Sequence, residues 1–168
     1  MASALELIAS TTTTSTSTVG VTFSSIPSTY KDLRVVVMAD NFYAQTVGNS
    51  TIRFNNESGS VCGHTIRWTY QGNYYQDTSW SRSNIQITTT VGDNLLSIID
   101  ILDYKRTDKI KTVIAKSSDQ ASDGNGRLSL TVGVWNRTNA INQINIANQD
   151  GAYELAAGTI VSLYGISG

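Results

Sequence analysis

Apolar and polar residues alternate with a period of two along most of the chain, which predicts strands rather than helices. Leu5, Leu7 and Ala9 open the series, and Val19, Val21 and Phe23 alternate with Gly20, Thr22 and Ser24. Leu33, Val35, Val37 and Ala39 then take one face of a strand, while Arg34, Val36, Met38 and Asp40 take the other. That second face is apolar in its middle. Such a strand lies inside a sheet, or is covered by a second layer or another subunit. Ile52 and Phe54, then His64, Ile66, Trp68 and Tyr70, then Ile85 and Ile87 continue the pattern. Ile110, Thr112 and Ile114 predict another strand, followed by Leu128, Leu130, Val132 and Val134, Ile144 and Ile146, and a last strand within Gly158–Ile166. One segment is ambiguous. Leu95, Ile98, Ile99 and Leu102 recur at helical spacing behind Asp93, a possible cap. Their Ile-rich composition in an all-strand context favours a strand.

Punctuation between these runs is dense. The chain's one proline, Pro27, fixes its own φ and holds Ile26 extended just ahead of the Leu33 strand. Residues 41–49 read as a loop carrying Phe42 and Tyr43. Residues 55–60 and Gln71-Gly72-Asn73 read as turns, and residues 74–80 as an aromatic loop. Residues 117–126 read as a loop with a Gly-Asn-Gly turn, and residues 136–139 as a further turn. Residues 10–18 are almost all Ser and Thr. They bury too little apolar surface to offset the entropy of ordering, so they form a loop or extend an edge strand. Roughly ten short strands with turns every 8–12 residues indicate one domain over residues 1–168, an all-β, two-sheet antiparallel sandwich of jelly-roll type.

Composition narrows the class of function. Of 168 residues, 15% are charged and the formal net charge is −1, so the chain carries no electrostatic footprint for nucleic acid. No run approaches the ~20 apolar residues of a membrane-spanning helix, and the first residues lack the basic and apolar regions of a secretory signal. One cysteine, Cys62, excludes an internal disulfide, in keeping with synthesis in a reducing cytoplasm. The matches to glycosylation acceptors at Asn49, Asn56 and Asn136 therefore carry no meaning here.

Candidate chemistry is sparse, and an enzyme is not expected. His64 is the single histidine, and Cys62 two residues away does not complete a metal set. A half-buried polar side chain and a small buried thiol describe the pair better than a nucleophile and its base. Asp119, Asp123, Asn125 and Gly126 resemble fragments of a calcium loop, but the spacing is wrong and no closing Glu follows. Asp100, Asp103 and Asp108 lie among Lys105, Arg106 and Lys109, which favours surface ion pairs over a glycosidase carboxylate pair. No metal or cofactor is expected. Tyr70, Tyr74, Tyr75 and Trp80 are the densest aromatic group. They fit a partner or glycan contact, or equally a small core beneath a loop.

Three blocks carry a family resemblance. Phe23-Ser24-Ser25-Ile26-Pro27-Ser28-Thr29-Tyr30-Lys31-Asp32-Leu33, Arg53-Phe54-Asn55-Asn56-Glu57-Ser58-Gly59-Ser60 and Gly158-Thr159-Ile160-Val161-Ser162-Leu163-Tyr164-Gly165-Ile166, with Asp103-Tyr104 and Lys111-Thr112 between, resemble small virion proteins and tail-fibre modules of tailed bacteriophages, notably marine and cyanobacterial ones. The resemblance spans about residues 5 to 166. Glu57 stands where others in that group have Asp, which weakens any metal role there. It implies a jelly-roll-like protein of the virion, made in the host cytoplasm, that forms homo-oligomers, trimers foremost. Its partners would be the major capsid protein or other virion proteins. The function implied is capsid decoration, a cement for the head shell. The alternative is a receptor-binding module for host glycan. In either case the apolar face of Val36 and Met38 is expected to mark a subunit contact or part of a core.

Overall fold

The structure, a computed structural model, describes residues 5–15, 20–39, 49–89, 93–120, 123–148 and 155–168. Among them are twelve strands and no helix. In chain order they are β1 Leu5–Thr12, β2 Val21–Phe23, β3 Asp32–Ala39, β4 Ser50–Phe54, β5 Cys62–Tyr70, β6 Asn73–Arg82, β7 Ile85–Gln86, β8 Asp93–Leu102, β9 Lys111–Gln120, β10 Gly126–Trp135, β11 Ile144–Asn148 and β12 Ile160–Ile166. Val19, Asp40, and the loop expected to carry Phe42 and Tyr43 lie outside the described residues.

The strands form two antiparallel sheets, ordered β1-β12-β3-β8-β9-β10-β5-β6 and β2-β11-β4-β7. Eight of them define the fold. β1-β12-β3-β8 faces β2-β11-β4-β7, and successive strands of this set alternate between the sheets except β4 and β7, which pair with each other in the smaller one. That is the jelly roll of two interlocked Greek keys. The hairpins β5–β6 and β9–β10 are additions that both join the larger sheet on the β8 side. They widen it into a wing.

The core lies between the sheets. Leu33, Val35 and Val37 of β3 pair with Ile101, Ile99 and Ser97 of β8. Together with Val161 and Leu163 they meet Phe23, Ile52, Phe54, Ile144 and Ile146 of the smaller sheet. Trp135 is tilted against Phe54 with ring centroids 5.6 Å apart. Gly133 of the wing faces Ile85 of β7, and a Cβ there would lie 2.6 Å from the Ile85 side chain. The missing side chain lets the small sheet approach the wing.

The proline segment is the corner between sheets. β2 ends in the small sheet and β3 begins in the large one. Ser25 turns the chain with φ 57°. Ile26 donates its N–H to the Asn142 carbonyl at 3.1 Å, and Lys31 donates to the Ile166 carbonyl at 2.8 Å. The Tyr104 hydroxyl donates to the Pro27 carbonyl, and the Tyr30 ring covers Gly165.

Three sequence expectations need correction. Residues 74–80 are not a loop but most of strand β6. Its aromatic and Thr residues suit a pleated surface, and Gln71 and Gly72, at φ 49° and 75°, make the tight two-residue turn that joins it to β5. Residues 117–120 belong to β9 rather than a loop. Ser117 finds its partners inside the sandwich, bonding Ser97 at 2.7 Å and the Ile87 carbonyl at 3.0 Å. Ile110 precedes β9 and is exposed. The residues of that strand facing the core are Lys111, Val113, Ala115 and Ser117, and Thr112 and Ile114 face outward. The Ser/Thr run extends β1 as far as Thr12, through pairing with β12.

Candidate functional site

Cross-strand register places an apolar band on the outer face of the large sheet, away from the small one. Met38 pairs with Leu96, and Val36 with Ile98. Ile98 continues to Lys116 and Leu96 to Ser118. Lys116 continues to Leu130, Ser118 to Leu128 and Ile114 to Val132. Met38 is 44% exposed, Leu130 45% and Leu128 63%. The aliphatic stem of Lys116 bridges the band, and the Arg34–Asp100 ion pair borders it, with Nε to Oδ1 at 2.7 Å and Nη2 to Oδ2 at 3.1 Å. Val36 and Met38 both lie on this outer face. Monomeric proteins rarely present contiguous apolar patches this broad unless the patch is used.

The four aromatic candidates do not form one cluster. Alternation along β5 and β6 sends Tyr70 and Tyr75 to the inner face of the wing and Tyr74 to its outer face. Trp80 also lies outward, across Gly63, where a Cβ would meet its ring at 2.1 Å. The Tyr75 ring stacks on Trp68 at 5.4 Å, and the Tyr70 hydroxyl donates to Asp123 Oδ2 at 2.6 Å. Tyr74, 87% exposed, rises from the rim of a shallow concavity of about 500 Å³ that Tyr75, Trp68, Arg67, Gln76, Leu128 and Leu130 also line. This concavity is continuous with the apolar band.

Most of the other candidates resolve into structural roles. Burial, with Glu57 nearby, pushes the Cys62 thiol up to about 12, so it holds no thiolate at neutral pH. Asp123 closes the β9–β10 turn, accepting from Tyr70, from Gln71 Nε2 at 2.9 Å and from the amide and side chain of Asn125. These bonds, the Tyr70 bond foremost, hold it far below the usual carboxylate range. Asp119 pairs with Arg127 at 2.6 Å. Asp103 pairs with Lys109 at 2.6 Å, and Asp108 with Arg106, whose hydrogen bond draws the Asp108 carboxyl down to about 2. Asp119, Asp103 and Asp108 thus each have their own cation, whereas Asp123 is held by neutral donors. Among the described residues no group of three or more His, Cys, Asp or Glu is placed to hold a metal ion.

His64 is the exception, and sequence reasoning did not anticipate its setting. It sits on the inner face of β5, 4% exposed, where the β6 edge of the large sheet meets the β7 edge of the small one. There it lines a polar cleft of about 160 Å³ with Asp77, Ser79, Arg82, Asn84 and Gln86. Both ring nitrogens are closed to solvent and lack a partner in strict hydrogen-bond geometry, with the Gln86 side chain close enough to bond the ring. Burial lowers the ring's pKa from 6.5; Asp77 and Gln86 act against that effect and Arg82 with it. The sign for stability follows. With the folded pKa below the unfolded one, the unfolded chain binds more protons in the window beneath 6.5, so stability falls as pH drops through it. Replacing His64 by Gln is therefore expected to flatten the fall in melting temperature between about pH 7 and pH 5, measured against the parent chain by calorimetry.

Comparison with known proteins adds little. No protein-family profile matches the sequence, and no curated protein matches it. Among solved structures the chain is similar to a protein of unknown function from Shewanella oneidensis MR-1, with 11% identity and a TM-score of 0.21 over 88% of this chain. The chain spans 63% of that protein's length. Likeness at this level carries no argument about fold or function.

Proposed function

We propose that this chain is a non-enzymatic structural protein of a bacteriophage virion, a capsid decoration protein that acts as a cyclic homo-oligomer, a trimer foremost. The observation that carries the reading is the exposed apolar band on the outer face of the large sheet, from Met38 and Leu96 to Leu128, Leu130 and Val132. A band spanning four adjacent strands of a rigid sheet suits packing against a second copy, because apolar burial there requires no reordering of loops. The virion setting is what the three sequence blocks imply. Decoration fits a single rigid domain, since an oligomer binding a repeating shell gains avidity from several weak contacts.

Glycan recognition through Tyr70, Tyr74, Tyr75 and Trp80 is the weaker reading. The four divide between two faces, and two of them are engaged within the protein. The test uses expanded heads prepared without the chain. Added wild-type protein should bind them and raise the temperature at which the shell releases DNA. The Val36→Asp, Met38→Asp double variant, folded but monomeric, should bind at least tenfold more weakly. Heads that resist heat equally well without the protein would defeat the cement reading.

A further inference from the structure

The chain contains one Asn-Gly step, Asn125-Gly126, where the β9–β10 connection enters β10. Both residues are exposed. Gly126 stands opposite Gln120 at the end of the ladder, where pairing opens most readily. A Cβ built on Gly126 would meet nothing within 4 Å, and its φ lies outside the left-handed region. The turn therefore does not require glycine there, and nothing crowds the amide nitrogen of Gly126.

That arrangement permits a reaction within the chain. The Gly126 amide nitrogen gives its proton to hydroxide and attacks Cγ of Asn125. The new N–Cγ bond forms, the Cγ–Nδ2 bond breaks, and Nδ2 takes a proton from water and leaves as ammonia, which restores the hydroxide. One water then opens the cyclic imide at either of its carbonyls, giving aspartate or isoaspartate. The sum exchanges ammonia for water and adds one negative charge, with no oxidant, reductant or cofactor.

Asp123 makes the exchange consequential. Its Oδ2 accepts from Asn125 Nδ2 at 2.8 Å, from the Tyr70 hydroxyl at 2.6 Å and from Gln71 Nε2 at 2.9 Å. Its Oδ1 accepts from the Asn125 amide at 3.0 Å. One carboxylate thus clasps the β5–β6 turn to the β9–β10 turn. An aspartate at 125 sets a second carboxylate against it in place of a donor, and like charges disfavour each other there. An isoaspartate also lengthens the backbone beside the clasp by one methylene. We propose that Asn125 is a self-modifying site, deamidating without an enzyme, and that its product releases the clasp between the two turns. The site is independent of the outer apolar face.

The purified full chain is held at physiological temperature in mildly alkaline and in mildly acidic buffer, and its peptides are followed by mass spectrometry. Conversion should be fastest at Asn125, give both products, and run faster in the alkaline sample. Gly126→Ala, which the open site accommodates, should slow it at least about tenfold, a barrier rise of 1.4 kcal/mol, because a Cβ shields the attacking nitrogen. Asn125→Asp is the aspartyl product itself. Its melting temperature should lie below the parent's at neutral pH, and the gap should narrow toward about pH 3, as the facing carboxylates protonate. Asn125 left intact while other asparagines convert, a Gly126→Ala chain that converts as fast as the parent, or an Asn125→Asp chain as stable as the parent at neutral pH would each overturn the proposal.

Discussion

Asp119→Ala is expected to destabilise the protein by about 3–5 kcal/mol, the usual result of removing one partner from a buried ion pair. Asp119 and Arg127 face the interior side of the wing from β9 and β10, at 5% and 10% side-chain exposure, with Nε to Oδ1 at 2.6 Å. Arg127 already has one buried terminal nitrogen without a partner. Taking away the carboxylate leaves the whole guanidinium desolvated. The pair itself is worth far less than its rupture costs, because Coulomb attraction scarcely exceeds the desolvation of two ions. An Asp119→Leu, Arg127→Met double variant should therefore lie within about 1–2 kcal/mol of the parent, on either side. Urea unfolding of the two variants checks both values. A single variant as stable as the parent would mean that water reaches the pair.

Lys111→Met is expected to cost about 3 kcal/mol or more, from three carbonyl acceptors left unpaired at ~1–3 kcal/mol each. Lys111 is fully buried at the start of β9. Its ammonium donates to the carbonyls of Arg106 at 2.6 Å, Lys109 at 2.8 Å and Thr138 at 3.0 Å. That matches the three hydrogens of the group and ties the β8–β9 connection to the segment after β10. Methionine keeps the stem and removes the donors. For a chain of this length the loss corresponds to a fall in melting temperature of roughly 6–12 °C. Burial also lowers the Lys111 pKa below its ordinary 10.5. In the alkaline window beneath 10.5 the unfolded chain then binds more protons, so this residue makes stability rise with pH there. The methionine variant should lose that rise.

The jelly roll was legible because most of its defining strands alternate and the turns between them carry recognisable chemistry, while β8, with Leu95, Ile98, Ile99 and Leu102 at helical spacing, was read as a strand from its Ile content and context. The proline corner and the doubly apolar β3 were legible for the same reason. The wing was harder. In β10 the residues that look like a core face, Leu128, Leu130 and Val132, are the exposed ones, and the buried face carries Thr131, Gly133 and Trp135. A period of two gives the two faces of a strand but not which one is inward. With both faces apolar, burial is set by where the second sheet lies. In β9 that ambiguity displaced the strand, since Ile110, Thr112 and Ile114 share a phase that does not face the core. In β6, polar and aromatic residues on an edge strand resemble a loop until the tight turn before them is taken into account. The apolar band had a trace in Val36 and Met38, whereas the His64 cleft had none. Asn84 and Gln86 alternate with Ile85 and Ile87 as surface residues would, yet all four are buried. Only the meeting of two sheet edges brings them beside His64.

Sedimentation equilibrium of the purified protein asks whether the outer face of the large sheet is an interface between copies of this chain. The wild-type chain is expected to sediment as a closed oligomer. The Val36→Asp, Met38→Asp variant is expected to sediment as a soluble monomer with an unchanged melting temperature. A wild-type monomer at every concentration, or a double variant that is insoluble because those side chains belong to a core, would contradict it.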